Sequence, residues 1–118
     1  MGDTHDSYSD YQHLKSDEIQ EIVDAVRSVI GDAPSGEAIL AKCLELAEML
    51  VKKNVSYGDS ALNPIRIFSK ASASEQIRVR IDDKLNRVLN GQSYPGDNDI
   101  LDLIGYLILL LIAESRHV

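Results

Sequence analysis

Arg80, Lys84 and Arg87 follow one another at intervals of four and three residues, so a helix through IRVRIDDKLNRVLN, Ile77 to Asn90, sets three cations along one stripe. Long basic side chains in a row suit phosphate oxygens. The complement lies later in the chain, where Asp99, Asp102 and Tyr106 share one helix face. Carboxylates so placed suit a hard cation such as Mg²⁺, which takes oxygen ligands and keeps waters that a phosphate can replace. A plainer outcome uses the same residues: the cations pair with Asp99 and Asp102 and tie two helices together. Spacing alone leaves both open.

The basic stripe borders an apolar one. Ile77, Ile81, Leu85 and Val88 form the expected core face of this helix, and Arg80, Lys84 and Arg87 can lay their stems along its edge with their heads in a cleft. Gly105, between the acidic positions of the last helix, permits close approach of a neighbouring backbone.

These positions must be held by helices, because no segment alternates with period two and several repeat with helical spacing. Ser16 with Asp17 and Glu18 opens a first helix carrying Ile19, Ile22, Val23, Val26, Val29 and Ile30, and Gly31 stops it. After GDAPSG, a second helix presents Ile39, Leu40, Cys43, Leu44, Ala47, Leu50 and Val51 and finishes at Lys52 and Lys53. NVSYGDSALNP is turn chemistry, with Asn63 as N-cap and Pro64 in the first helical position of a short helix, IRIFSK. Ser74 caps the helix of the basic stripe, NGQSYPGDN breaks it, and the last helix begins near Asn98 or Asp99. The expected fold is an all-α bundle of four longer helices plus one short helix, one domain over residues 16–118 behind a flexible polar arm at 1–15.

Composition narrows the partners. A net charge of -7 and a pI near 4.8 oppose attraction to the backbone of bulk nucleic acid, whereas a small phosphorylated ligand needs only a few local cations. The acidic start MGDTHDSYSD carries no secretory signal. LIGYLILLLIA is too short for a bilayer span and directs no membrane partner. It is apolar nearly all round, which predicts burial in a homo-oligomer, a dimer or larger. Cys43 alone forms no internal disulfide and reads as a buried core thiol in a reducing, cytoplasmic setting. His5, His13 and His117 lack paired spacing and receive no zinc or catalytic role.

Three motifs in order, YGDSALNP (Tyr57 to Pro64), RIDDKLNR (Arg80 to Arg87) and DILDLIGY (Asp99 to Tyr106), resemble the phage and prophage proteins grouped as the nucleotide modification associated domain 1 family, over about residues 40–113. More distantly the chain is similar to all-α nucleoside triphosphate pyrophosphohydrolases of the MazG and dimeric dUTPase type. Those are helical bundles whose acidic motifs bind Mg²⁺ and which assemble as dimers or tetramers. The resemblance implies Glu45, Glu48, Asp99 and Asp102 as metal ligands and Arg80, Lys84 and Arg87 on phosphates. Tyr57 or Phe68 then offers a stacking surface, with Asp59 and Asn63 near the nucleotide. Those enzymes carry a fuller set of glutamates than this last helix, so a non-catalytic protein that sequesters a nucleotide or cyclic-nucleotide immune signal stands beside the enzyme. A helical interaction module without a small ligand is the third reading. In the plainest account Gly58 closes a turn, Asp59 caps local amides and Tyr106 is a core residue.

Overall fold

The computed structural model describes residues 14–92 and 94–116, which form four helices and no strand among the described residues. They are α1 (Ser16–Ile30), α2 (Gly36–Tyr57), α3 (Ala73–Leu89) and α4 (Asp99–Ser115). Most of the expected arm at 1–15, with Tyr8, Tyr11, His5 and His13, lies outside the described residues, as does His117. The chain divides into two compact units between Met49 and Leu50, within α2.

In the first unit α1 starts where Asp17 and Glu18 meet the positive end of the helix dipole, and Arg27 lies in its last turn. Lys15 occupies the N-cap without a side-chain bond, so Ser16 is the first helical residue rather than the cap. A tight turn joins α1 to α2, with Ala33 N donating to Ile30 O at 3.2 Å and Gly36 N to Ala33 O at 3.0 Å. Only glycine fits at position 36, because a Cβ there would stand 2.8 Å from the Ile30 carbonyl oxygen. Ile19, Ile22, Val26 and Val29 remain exposed along α1, and Cys43 on α2 is also exposed. That corrects the core-thiol expectation: the apolar stripe around it stays open, as Ile39 and Leu44 show.

The second unit begins within α2, which continues through Tyr57 rather than stopping at Lys53. It ends on a left-handed residue, Gly58 at φ +61°. Asp59 N donates to Asn54 O at 3.1 Å and Gly58 N to Val55 O at 3.5 Å, the paired bonds that satisfy a helix's last carbonyls. The expected short helix over IRIFSK is absent. Arg66 adopts φ +54°, outside any right-handed helix. Its carbonyl accepts from the Lys70 side chain at 3.1 Å where a helix would use the Lys70 backbone N–H. Asn63, the expected cap, donates its amide to Asp59 instead.

α3 is capped by Ser72, whose Oγ accepts from Glu75 N at 3.2 Å. Ser74, the expected cap, is two residues inside the helix and buried. Asn98 caps α4 by accepting from Leu101 N at 3.1 Å. α3 and α4 pack antiparallel: Arg78, early in α3, pairs with Glu114, late in α4, whereas Lys84, further along α3, meets Asp99 and Asp102 at the start of α4. Between them lies the core, Leu62, Ala73, Ile77 and Ala113, with Ile81, Tyr106, Leu109, Leu110 and Ile112 against it. Burial of Ile77 alone is worth about 2 kcal/mol. No helix among the described residues is long and apolar enough to cross a membrane.

Candidate functional site

The buried stripe of α3 runs Ala73, Ile77, Ile81, Lys84, not Ile77, Ile81, Leu85, Val88; Leu85 and Val88 are exposed. A lysine therefore takes a core-facing position, and only 3% of it is exposed. Its ammonium donates to Asp102 Oδ2 at 3.0 Å and Asp99 Oδ1 at 3.3 Å, and Asp97 Oδ2 lies 3.6 Å away. Lys53, from the last part of α2, reaches Asp102 Oδ1 at 3.9 Å.

A buried ammonium is tolerable only when its donors are satisfied by charged acceptors. Lys84 meets that condition, and no buried side-chain nitrogen or oxygen among the described residues lacks a partner. Burial pushes the Lys84 pKa down and the nearby Arg87 charge does the same. Hydrogen bonds to Asp102 and Asp99 and the charge of Asp102 push it up and prevail, so it lies above the ordinary value of 10.5. The carboxylates gain from position as well, since Asp99 and Asp102 occupy the first turn of α4, where the helix dipole favours negative charge.

The structure thus brings together one residue expected on phosphate, Lys84, and two expected on metal, Asp99 and Asp102. Asp97 and Lys53 join them without having been singled out in the sequence. Asp97 lies in the turn before the α4 cap, and a charge in such a turn looks like simple solvation; Lys53 looked like a helix-end cation. Asp97, Asp99 and Asp102 each place one oxygen within 4.8 Å of the others, a hard-oxygen set of the kind Mg²⁺ uses. Lys84 Nζ already stands among those oxygens, so the arrangement does not fit a divalent ion at the same point.

Arg80 and Arg87 differ from Lys84. Both are exposed, and neither makes an ion pair among the described residues. Glu45 and Glu48 are exposed residues of the first unit, where Glu45 accepts from Lys42 Nζ at 3.1 Å one turn away. In the YGDSALNP segment Asp59, at φ +62°, accepts from the amides of both Asn54, at 2.7 Å, and Asn63, at 2.5 Å. Asp59 and Asn63 are therefore joined to each other, and Tyr57 is exposed beside them at the end of α2. No protein-family model, curated protein or solved structure matches the chain.

Proposed function

We propose that this chain binds a nucleotide or another small phosphorylated ligand without transforming it, as a sequestering protein of the phage or prophage type, and that it acts as a homo-oligomer. One observation carries the reading. Lys84 neutralises the acidic start of α4, while Arg80 and Arg87, one turn to either side on the same helix, keep their guanidinium groups exposed and unpaired among the described residues. Guanidinium groups that have no internal partner are suited to bidentate capture of phosphate oxygens. The acids beside them would repel such a ligand if Lys84 did not offset them. The similarity of three ordered motifs to a nucleotide-associated phage family supports the same ligand class.

The second reading is a metal-dependent nucleoside triphosphate pyrophosphohydrolase. Asp97, Asp99 and Asp102 are the oxygen donors that favour it, and the Lys84 ammonium among them favours binding without chemistry. Native mass spectrometry of the purified protein, followed by calorimetry with a nucleotide panel, separates the readings. A bound nucleotide recovered intact in the presence of Mg²⁺ is the expected result. Release of pyrophosphate selects the enzyme. Absence of any heat or co-purified ligand across the panel defeats both and leaves a helical interaction module.

A further inference from the structure

Two apolar surfaces of the second unit lack partners, and their chemistries are complementary. The first is the segment between α2 and α3, where Ile65, Ile67 and Phe68 stand out at 83%, 62% and 100% exposure. Arg66 and Lys70 make it cationic, and the Lys70 ammonium on the Arg66 carbonyl closes it into a defined loop. The second is the outer stripe of α4, Ile100, Ile104, Leu107 and Leu111, exposed by 41–73% and spaced four, three and four residues. No charged residue interrupts α4 from Leu103 to Ala113, and the acidic group Asp97, Asp99 and Asp102 lies at its start.

We infer that each surface is covered by the other across a two-fold axis: the Ile65–Lys70 loop of one copy lies on the α4 stripe of a second copy, and the reverse. Residue spacing agrees. Phe68 set on Ile104 leaves Arg66 about 7 Å back along an irregular, near-extended chain. Ile100 is about 6 Å back along the helix from Ile104. The Arg66 guanidinium is then beside the exposed Asp97 of the partner, whose bond to Lys84 is the longest of the three at 3.6 Å. Area agrees as well. The seven side chains together approach the roughly 800 Å² per partner that a standard stable interface buries, and either surface alone falls short by about half. A reciprocal contact uses both in each copy, as closed two-fold symmetry requires.

The inference rests on the oligomeric part of the proposed function and not on its ligand. It is tested in full-length protein carrying Cys43→Ser, with Phe68→Cys in one sample and Ile104→Cys in another, both at exposed positions. Light scattering of the unsubstituted protein at tens of micromolar gives a dimer or a multiple of it. Mild oxidation gives a covalent dimer on a non-reducing gel when the two cysteine variants are mixed, and little from either alone. A mass of one chain in light scattering overturns both this pairing and the oligomeric reading. A dimer mass without cross-linking in the mixture overturns the pairing alone. Equal cross-linking from Ile104→Cys by itself also overturns it, by setting α4 against α4.

Discussion

Lys84 Nζ and Asp102 Oδ2 lie 3.0 Å apart, the shortest contact of an ammonium that serves the start of α4 from within the α3 core stripe. The pair fixes which turn of α3 faces which turn of α4, because no other pairing satisfies a lysine so completely buried. Its removal leaves Asp99 and Asp102, both about four-fifths buried, with their main cation gone. Breaking a buried pair from one side typically costs about 3–5 kcal/mol, more than the pair is worth against an apolar replacement of both sides. Lys84→Met is expected to lower stability by about 3 kcal/mol, and Lys84→Met with Asp99→Asn and Asp102→Asn to recover part of it. Urea unfolding of the two variants checks this. A loss under about 1 kcal/mol in the single variant contradicts the buried pair.

The same ammonium predicts an alkaline limit. Its folded pKa lies above the ordinary lysine value of 10.5, so the native state binds this proton more tightly than the unfolded chain does. The contribution is complete below 10.5 and is lost as pH rises through the higher folded value. The urea midpoint of the wild type should therefore fall more steeply above pH 10.5 than that of Lys84→Met, in which the group is missing. Other lysines and tyrosines titrate in the same window, and the comparison between the two proteins removes their share. Parallel profiles would refute the assignment.

Gly36 is required by closeness rather than by its dihedral angles. A Cβ would meet the Ile30 carbonyl oxygen at 2.8 Å and Ile30 Cγ1 at 2.9 Å. The side-chain carbon can rotate away, but the carbonyl belongs to the last turn of α1 and cannot. Gly36→Ala should cost about 1–3 kcal/mol despite alanine's better helix propensity. Gly31→Ala, where nothing lies within 4 Å, should be neutral or slightly stabilising. Thermal melts of the two variants, run side by side, read the difference directly.

Helix existence was legible in the sequence because caps and apolar periods are local. Asn98 caps α4 as the pattern implied, and α3 begins within two residues of its expected start. What was not legible came from tertiary competition. Ser72 and Ser74 are equivalent as caps in sequence; burial of Ser74 decides between them. A helix through IRIFSK satisfied the pattern of Asn63 and Pro64, yet Asp59 claimed the Asn63 amide and Arg66 left the helical region. The rotation of α3 was likewise hidden. A wheel favours Leu85 and Val88 inside on hydrophobicity, and the acids of α4 instead draw in Lys84, about 100° away from Leu85. Only a pairing across helices supplies that information. The expectation that three cations would point inward is met by one of them.

Arg80 and Arg87 then offer the sharpest separation of ligand binding from fold maintenance. Both are exposed and make no ion pair among the described residues, so Arg80→Ala and Arg87→Ala should each change stability by less than about 0.5 kcal/mol. A charge-assisted bond to phosphate is worth about 1.5–3 kcal/mol, which makes each substitution cost roughly ten-fold or more in affinity for a nucleotide ligand. Lysine at either position keeps the charge but not the bidentate fork, and should fall between. Calorimetry of the ligand identified by native mass spectrometry, with a urea curve for each variant, gives both quantities from the same preparations. Should affinity survive both alanine variants unchanged, the exposed guanidinium groups of α3 are solvated surface and phosphate recognition lies elsewhere. Should stability fall along with affinity, they maintain the fold, and the distinction drawn from Lys84 fails.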